Sequence, residues 1–238
     1  MTRAVIITSY LEYPLDIPAL VRADDYVVCL DGGFDIARTQ GITPNLVLGD
    51  FDSLRGNQLE TLQKLAGTGA FELREYPPEK DYTDLELALR ILDPAKTPEL
   101  LVIGGLGGRL DQTLINVQML QKYTGPKFRH IELMDGHHRC FVVHGEVDRC
   151  PAAGEPGSGM HMISRQADSY LSLLPLTDIC SGVDLQGVKY PLKDAALHRG
   201  ASLSISNEFE ADEAKLRVRH GSLLVVVTRG NDRDLASL

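Results

Sequence analysis

The sequence predicts two parts with different folds. Residues 1–135 predict an α/β part, a Rossmann-like parallel sheet with flanking helices, and residues 136–238 predict an antiparallel β-sandwich. In the first part, short apolar runs alternate with segments of helical pattern, which is typical of a parallel sheet covered on both faces. In the second part, apolar and polar residues alternate as in half-buried strands, and no segment predicts a helix of ordinary length.

The elements of the α/β part follow one another in a regular order. Its apolar runs predict strands at residues 4–9, 26–31, 46–49, 71–76, 100–104 and 131–135. The segments between them predict helices at residues 35–40, 54–66, 84–92 and 110–123. The last helix has an amphipathic stripe, and Thr124-Gly125-Pro126 ends it. The stripe consists of Leu110, Leu114, Val117 and either Leu120 or Gln121.

The elements of the sandwich are shorter. Residues 183–192 alternate between apolar and polar side chains, and so do residues 216–219. His220-Gly221 predicts a two-residue hairpin turn into a strand at residues 223–228. Residues 151–159 (PAAGEPGSG) predict a loop or a flexible insertion, because nothing in this stretch can build a core.

Composition narrows the classes of partner and the location. The 238 residues include 24 Lys and Arg against 33 Asp and Glu, a formal charge of −9, which disfavours a nucleic acid or an anionic membrane as the main partner. The first residues form too short an apolar run for a signal peptide or a membrane span, so a cytoplasmic location is expected. The four cysteines show no CxxC pair, and Cys29 is expected to be a buried free thiol.

Four short acidic or glycine-rich patterns indicate the chemistry. Each follows a predicted strand or opens a predicted helix, so one parallel sheet can bring all four to the edge where such sheets bind ligands. Their carboxylates would repel one another there unless a hard cation lay between them. The sequence therefore predicts a metal-dependent enzyme of phosphate chemistry. The patterns are Asp31-Gly32-Gly33, Gly49-Asp50-Phe51-Asp52-Ser53, Asp81-Tyr82-Thr83-Asp84 and Gly107-Gly108-Arg109-Leu110-Asp111-Gln112.

The second pattern is the most specific for a metal. Asp50 and Asp52 are one residue apart, so in extended backbone they share a side while Phe51 points the other way. Two carboxylates on one side of a strand end suit a magnesium ion. Asp52 or Ser53 can instead cap the next helix, a role that does not explain Asp50.

In the third pattern a structural role competes with a functional one. Thr83 and Glu86 have capping-box spacing, which indicates the start of a helix. Asp84 gains from the helix dipole whether or not it binds a metal. Asp81 precedes the helix, and capping gives it no role.

The glycine-rich segment at residues 104–112 is the best candidate for a phosphate-binding loop. It joins a strand to a helix, so its backbone N–H groups can face an anion. It lacks the Lys-Ser/Thr end of a P-loop and the spacing of a nicotinamide-binding motif. Arg109 can pair with a phosphate through two N–H groups, or lie on the surface in solvent. Asp31-Gly32-Gly33 can likewise approach a nucleotide or form a simple tight turn.

Several longer stretches together resemble the thiamine pyrophosphokinase family. They occur in order and span nearly the whole chain, which makes the resemblance specific. The stretches are LDGGFD (30–35), LVLGDFDSL (46–54), PPEKDYTDLELAL (77–89), GGLGGRLDQTLINVQMLQ (104–121), SLLPLTD (172–178), LQGVKYPL (185–192) and GASLSISNEF (200–209).

This resemblance implies an α/β nucleotide domain followed by a β-sandwich, in a homodimer. It implies transfer of a pyrophosphoryl group from ATP to the hydroxyl of thiamine, which gives thiamine diphosphate and AMP. It also implies a magnesium cofactor held by Asp50, Asp52 and Asp84, with Asp81 assisting in the same acidic pocket.

The resemblance assigns the substrates to further motif residues. The Asp31-Gly32-Gly33 turn and Gly107-Gly108-Arg109 would hold the nucleotide. Asp111 and Gln112 would face thiamine. The sandwich would complete the thiamine pocket across the dimer interface, through Ser206 and Asn207.

Some points stay open at this level. Either Asp81 or Asp111 would accept the proton of the thiamine hydroxyl. The chain has no tryptophan, although some members of the family place one against the thiamine rings, so an aromatic residue such as Tyr190 replaces it or the pocket is less aromatic. A pyrophosphokinase for another alcohol, such as 6-hydroxymethylpterin, and a non-catalytic sensor are the alternative functions. The stretches GVKYPL and SNEF favour thiamine, and the intact acidic patterns favour an enzyme.

Overall fold

The computed structural model describes residues 3–51, 58–148 and 159–230. The chain divides into two compact units, one of Met1–Met119 and Leu133–Gly136 and the other of Leu120–Glu132 and His137–Leu238. The first unit has an α/β fold and the second is an antiparallel sandwich, which confirms the predicted fold class. Residues 120–132 group with the second unit, so the predicted boundary at residue 135 stays a prediction.

Parallel strands form the sheet of the first unit. They are β1 (Arg3–Ile7), β2 (Tyr26–Leu30), β3 (Leu46–Gly49), β4 (Glu72–Glu75) and β5 (Glu99–Ile103). They pair in the order β4-β3-β2-β1-β5. A later strand, β6 (His130–Met134), follows in the chain. The bounds of all six strands lie within two residues of the predicted ones.

The strands β1, β2, β3 and β5 are apolar because both faces of the sheet are covered there, whereas the edge strand β4 is polar. Val5 and Val27 belong to one core, together with Ala37 from a neighbouring helix. The next residue of each strand, Ile6 and Val28, points to the opposite face and is fully buried as well. Continuous burial explains why the strands lack the alternation of a half-exposed sheet.

Helices connect the strands of the first unit. They are α1 (Gly33–Thr39), α2 (Gln58–Gly67), α3 (Asp84–Ile91) and α4 (Leu110–Tyr123). Thr83 caps α3, because its side-chain oxygen accepts a hydrogen bond of 3.2 Å from the Glu86 backbone N–H, as the capping-box spacing predicts. Asp52 and Ser53, and with them the predicted start of the second helix, lie outside the described residues.

The predicted apolar stripe of α4 is wrong in its first half. Leu110 and Leu114 are 70% and 54% exposed. The buried positions of this helix include Asn116, Met119 and Leu120 instead. Apolar residues occur on more than one side of α4, so periodicity alone could not select the buried side.

The second unit is an antiparallel sandwich. Its strands are β7 (His138–His144), β8 (Met160–Ser164), β9 (Ser169–Pro175), β10 (Ile179–Gln186), β11 (Leu192–His198), β12 (Asn207–Glu208), β13 (Glu213–Arg217) and β14 (Ser222–Arg229). One sheet contains β12-β9-β14-β7 in that order, and the other contains β11-β10-β13-β8. Val143, Leu173 and Val225 from the first sheet share one core with Val183 and Leu216 from the second.

The hairpin predicted at His220-Gly221 is wrong. β13 pairs with β8 and β10, whereas β14 pairs with β7 and β9, so the turn carries the chain from one sheet of the sandwich to the other. Turn residues specify a local bend, but they do not specify which strand the next strand will lie beside.

Cys29, Cys140 and Cys180 are buried free thiols, which confirms the prediction for Cys29. Residues 151–158 of the predicted insertion lie outside the described part of the chain. Among the helices that the structure describes, none combines the length and the apolar character needed to cross a membrane.

Candidate active site

A cavity of about 930 Å³ lies at the carboxyl ends of the parallel strands. Its wall includes Ser9 after β1, Asp31 after β2, Asp50 after β3 and Gly105 after β5. These strand ends meet at the same edge of the sheet, which is where open α/β folds bind ligands. Each of the four sequence patterns contributes at least one residue to the cavity.

Lys80 joins two of the carboxylates in this cavity. Its Nζ atom lies 2.5 Å from Asp50 Oδ2 and 3.0 Å from Asp84 Oδ1, and only 11% of its side chain is exposed. Burial lowers the pKa of Lys80, but the contacts with Asp50 and Asp84 outweigh burial, so the pKa lies above its ordinary value. The ammonium group is therefore charged at neutral pH and neutralises part of the acidic group.

Asp31 is the third carboxylate of this group. Its Oδ1 atom accepts a hydrogen bond of 3.2 Å from the Phe51 backbone N–H. Burial, then the neighbouring Asp84 carboxylate and to a smaller extent Asp50, raise the pKa of Asp31 to about 7. A Cβ atom on Gly49 would lie 1.7 Å from Asp31 Oδ1, so any larger residue at position 49 would force this carboxylate to move.

The backbone is left-handed at two adjacent strand ends of the site. Asp31 has a φ of 44° and Phe51 a φ of 57°. Aspartate tolerates this conformation, whereas a bulky residue such as phenylalanine rarely adopts it. Phe51 is buried in the core while its neighbour Asp50 lines the cavity. Such strain is concentrated at functional sites in proteins.

The acidic group fits a hard divalent cation. Asp50 and Asp84 contact the same ammonium nitrogen, so they are close enough to share one cation. Asp84 Oδ1 is shielded from solvent and makes no well-aligned hydrogen bond within the described residues, which suits a metal ligand. Within residues 3–51, 58–148 and 159–230, no group of three His, Cys, Asp or Glu side chains is arranged to hold a metal. Asp52 lies outside these ranges, so the site of Asp50, Asp52 and Asp84 stays a prediction.

Asp31→Asn should remove a pH-dependent loss of stability. The folded protein holds the Asp31 proton more tightly than the unfolded chain, so without metal the free energy of unfolding falls as the pH rises from about 4 to about 7. Asparagine keeps the acceptor for the Phe51 N–H but carries no charge. Because the carboxyl group is only partly buried, we expect the variant to be about 1–2 kcal/mol more stable than the parent at about pH 8. Denaturant unfolding in EDTA measures this difference, and an equal pH slope in both proteins would contradict it.

The glycine-rich loop between β5 and α4 is held by contacts on both sides. Gly104, Gly105, Gly107 and Gly108 all have a positive φ, between 61° and 87°. Asn116 of α4 is 6% exposed and donates a hydrogen bond of 2.8 Å from Nδ2 to the Gly105 carbonyl oxygen. The loop is therefore fixed to the helix that follows it.

Gly104→Ala should destabilise the first unit and distort this loop. A Cβ atom at this position would lie 2.2 Å from the Tyr10 carbonyl oxygen, in addition to the strain of a φ of 87°. We expect a loss of about 3 kcal/mol in the free energy of unfolding. Gly41→Ala is the matched control, because Gly41 has a φ of 72° with nothing within 4 Å of the added atom. The control should lose only about 1 kcal/mol, and equal losses for the two variants would contradict the steric argument.

One N–H group of this loop already holds an anionic oxygen. The Gly108 N–H donates a hydrogen bond of 3.1 Å to Glu12 Oε2, and the Tyr10 hydroxyl donates to the same oxygen. Glu12 is exposed, so this contact does not form part of a core. The loop geometry therefore suits oxygen atoms that carry negative charge, such as those of phosphate.

Arg109 forms a two-point ion pair with Asp111. The guanidinium Nε lies 3.2 Å from Oδ1 and Nη2 lies 2.6 Å from Oδ2. Asp111 raises the pKa of Arg109, and Arg109 lowers the pKa of Asp111. The side chains are 74% and 63% exposed. Exposed ion pairs are weak, so a phosphate can displace Asp111 from the guanidinium group.

The other predicted site residues of the first unit differ in their relation to the cavity. Of the residues predicted for catalysis or substrate binding, Asp81 and Gln112 line it, as do Gly107, Gly108 and Arg109. Among the described residues, those that do not line it are Gly32, Gly33 and Asp111. Their predicted contacts with nucleotide and thiamine stay predictions.

Ser206 and Asn207 lie in the second unit, close to Tyr190. Asn207 is 5% exposed, and its Oδ1 accepts hydrogen bonds from the Tyr190 N–H at 3.1 Å and the Glu208 N–H at 3.0 Å, while Nδ2 donates to the Tyr190 carbonyl oxygen at 2.8 Å. The Asn207 amide thus supports the backbone that carries the exposed Tyr190 ring. Ser206 is exposed, and its N–H donates to Ser172 Oγ at 3.0 Å. Thiamine binding by either residue stays a prediction.

Sequence reasoning gave no role to Lys80 or Asn116. The contact of Lys80 with Asp50 spans 30 positions of the chain, so no local pattern could reveal it. Its contact with Asp84 spans four positions and was the local signal that could have found Lys80. Asn116 follows Gln112 and precedes Leu120 by four residues each, and these positions share one side of a helix. The signal that could have identified Asn116 was a polar residue on the same side of α4 as Gln112, which lines the cavity, and Leu120, which is buried.

The acidic group suits a cation and the glycine loop suits an anion, and a polyphosphate with a bound metal uses both sides of the cavity. The fold and the site therefore define an enzyme of the class that transfers groups from nucleotide phosphates. More narrowly, the chain belongs to the thiamin pyrophosphokinase family. Residues 17–134 match the family model described as thiamin pyrophosphokinase, catalytic domain, and residues 160–223 match thiamin pyrophosphokinase, vitamin B1 binding domain.

Known proteins resemble this chain over most of its length. Thiamine pyrophosphokinase of Bacillus subtilis (strain 168) is 32% identical over 191 residues, which cover 78% of this chain and 79% of the relative. The crystal structure of thiamine pyrophosphokinase from Bacillus subtilis has a TM-score of 0.79 at 24% identity and covers 97% of this chain and 100% of that chain. That of thiamin pyrophosphokinase from Geobacillus thermodenitrificans has a TM-score of 0.77 at 27% identity, with coverage of 98% and 99%. These similarities confirm the family and the fold predicted from the sequence.

Proposed function

We propose that this chain transfers the pyrophosphoryl group of ATP to the hydroxyl of thiamine, giving thiamine diphosphate and AMP. The observation that carries the proposal is that one cavity combines an acidic group suited to a cation with a glycine loop suited to phosphate. The match of residues 160–223 to a vitamin B1 binding domain supports thiamine as the acceptor alcohol.

In the proposed reaction, the thiamine hydroxyl oxygen attacks the β-phosphorus of ATP. A bond forms between these two atoms, the bond from the β-phosphorus to the oxygen of the α-phosphate breaks, and AMP leaves. Asp81 is exposed and lines the cavity, so it is our candidate for accepting the hydroxyl proton. Asp111 is the weaker candidate because it is paired with Arg109 and does not line the described cavity.

Negative charge must be offset on the phosphate oxygens during the transfer. We assign this role to Arg109 and to the N–H groups of Gly107 and Gly108, because these residues line the cavity. Asp50 and Asp84, with the predicted Asp52, would hold magnesium. When bound, magnesium supplies further positive charge beside the phosphate oxygens. Holding the two substrates in line supplies much of the remaining acceleration.

We also propose that the protein is a cytoplasmic homodimer. Leu110 and Leu114 expose an apolar side of α4 that a second copy can cover. Ser206 and Asn207 of each subunit would then serve the thiamine site of the other. The free thiols of the described residues suit a reducing compartment such as the cytoplasm.

Steady-state kinetics with two alcohols test the proposed function. The purified chain is incubated with ATP, magnesium and either thiamine or 6-hydroxymethylpterin, and AMP and the pyrophosphorylated alcohol are quantified. We expect kcat/KM for thiamine to exceed that for the pterin by at least about a hundredfold. A higher value for the pterin would establish the alternative reaction, and no AMP with either alcohol would contradict a pyrophosphokinase.

A further inference from the structure

We propose that Lys80 is a positioning residue for the metal-binding carboxylates. Its ammonium group keeps Asp50 and Asp84 together, and a divalent cation must displace it from them. This inference rests on the use of a metal in the proposed function. It assigns to Lys80 an effect on metal affinity that neither the sequence patterns nor the similarity to the family indicates.

The geometry makes the ammonium group and a metal competitors for the same oxygen atoms. Lys80 Nζ lies 2.5 Å from Asp50 Oδ2 and 3.0 Å from Asp84 Oδ1. The three side chains are only 11%, 15% and 21% exposed, so water weakens their charge interactions less than at the surface. A cation bridging the two carboxylates needs the place that Nζ occupies between them.

Stabilisation of the neighbouring helix does not explain this lysine. Asp84 is the first residue of α3, and Thr83 already caps that helix. A helix N-terminus disfavours a positive charge, so Lys80 lies there because of the carboxylates. Its flexible four-carbon stem lets Nζ move away while the backbone stays in place.

The acidic group retains negative charge even with Lys80 in place, since the two ion-paired carboxylates already outnumber the one ammonium group. Lys80 also lines the cavity, where the phosphates of a nucleotide would offer new partners to the displaced ammonium group. Metal and nucleotide binding should therefore be coupled, with weak metal binding alone and tighter binding when phosphates accept Lys80.

Manganese binding, followed by the EPR signal of the free ion, tests this competition in Lys80→Met. Methionine keeps a long flexible stem without the charge. We expect the variant to bind manganese about tenfold more tightly than the parent in the absence of nucleotide, because one competing charge-assisted contact is gone. The analogue α,β-methylene-ATP, which resists cleavage at the reacting bond, should tighten binding strongly in the parent and much less in the variant.

Two further variants serve as controls in the same titration. Lys80→Arg keeps a competing positive charge and should bind manganese like the parent. Lys64→Met removes a lysine that is 81% exposed on α2 and should leave manganese binding unchanged. Equal or weaker binding by Lys80→Met, while the parent binds manganese with the analogue, would overturn the inference alone. No binding by any form, even with the analogue, would overturn both the inference and the metal-dependent function.

A second measurement uses only the parent protein, so it does not depend on how a variant folds. Mass spectrometry follows the rate at which an acetylating reagent modifies each lysine. Magnesium should raise the rate at Lys80, and the further addition of α,β-methylene-ATP should lower it again, while Lys64 reacts at a constant rate. A Lys80 rate that does not respond to magnesium would overturn the inference.

Discussion

Asp50→Asn should lower kcat by about a thousandfold, which corresponds to roughly 4 kcal/mol of transition-state stabilisation. Asp50 lines the cavity and contacts the Lys80 ammonium group at 2.5 Å. The amide has nearly the same shape as the carboxylate but lacks the charge that would hold a divalent cation. Release of AMP from ATP in the presence of magnesium and thiamine measures the effect.

The control for this variant is the same chemical change at a surface position. Glu60→Gln on α2 alters a side chain that is 72% exposed and should keep kcat within about twofold of the parent. Circular dichroism and denaturant unfolding of both variants separate lost activity from lost folding. A folded Asp50→Asn protein with near-normal turnover would contradict the assignment of this carboxylate to the metal.

Arg109→Met should lower kcat by about a hundredfold, because the guanidinium group offsets charge that grows on the phosphate oxygens during transfer. Arg109 lines the cavity, and its present partner Asp111 holds it only in an exposed ion pair. We expect a smaller change in KM for ATP, since the contact strengthens as the charge develops. Initial rates over a range of ATP concentrations separate the two constants.

Arg38→Met provides the matched control for Arg109. Arg38 is 60% exposed on α1 and pairs only loosely, at 3.5 Å, with Asp35. Its loss should leave kcat and KM close to those of the parent. If Arg109→Met raised KM while kcat stayed constant, Arg109 would contribute to substrate binding alone and not to the transfer step.

The α/β fold could be predicted because its local patterns are strong. β1, β2, β3 and β5 are short apolar runs, and the bounds of α4 agree with the predicted ones. The hairpin at His220-Gly221 could not be judged in the same way, because the pairing of β13 and β14 depends on strands far away in the chain. Local bends can be predicted from the sequence, whereas strand partners require the packed core.

The buried side of α4 shows a second limit of local patterns. Leu110, Leu114 and Val117 follow one another at helical spacings of four and three residues, yet Leu110 and Leu114 are exposed. Asn116 is buried because its side chain donates a hydrogen bond to the Gly105 carbonyl oxygen. The polarity of asparagine alone would have predicted an exposed side chain. Hydrophobic periodicity assumes that buried residues are apolar, and that assumption fails where a helix supports a binding loop.

The acidic and glycine-rich residues of the candidate site could be predicted from the sequence. The residues that contact them, such as Lys80, were not predicted. Asp50 was selected by motif spacing and Asp84 by the family resemblance, and the structure brings both to one ammonium group. The ammonium group of Lys80 was not selected, since its contact with Asp50 forms only when distant segments meet. Asp52 lies outside the described residues, and its place beside the metal stays a prediction.

The most direct test of the proposed reaction follows a label placed on the γ-phosphorus of ATP. The purified chain is incubated with this ATP, magnesium and thiamine, and the products are separated by chromatography. We predict labelled thiamine diphosphate and unlabelled AMP in equal amounts, with no ADP. Labelled thiamine monophosphate together with ADP, or label in inorganic phosphate alone, would contradict pyrophosphoryl transfer.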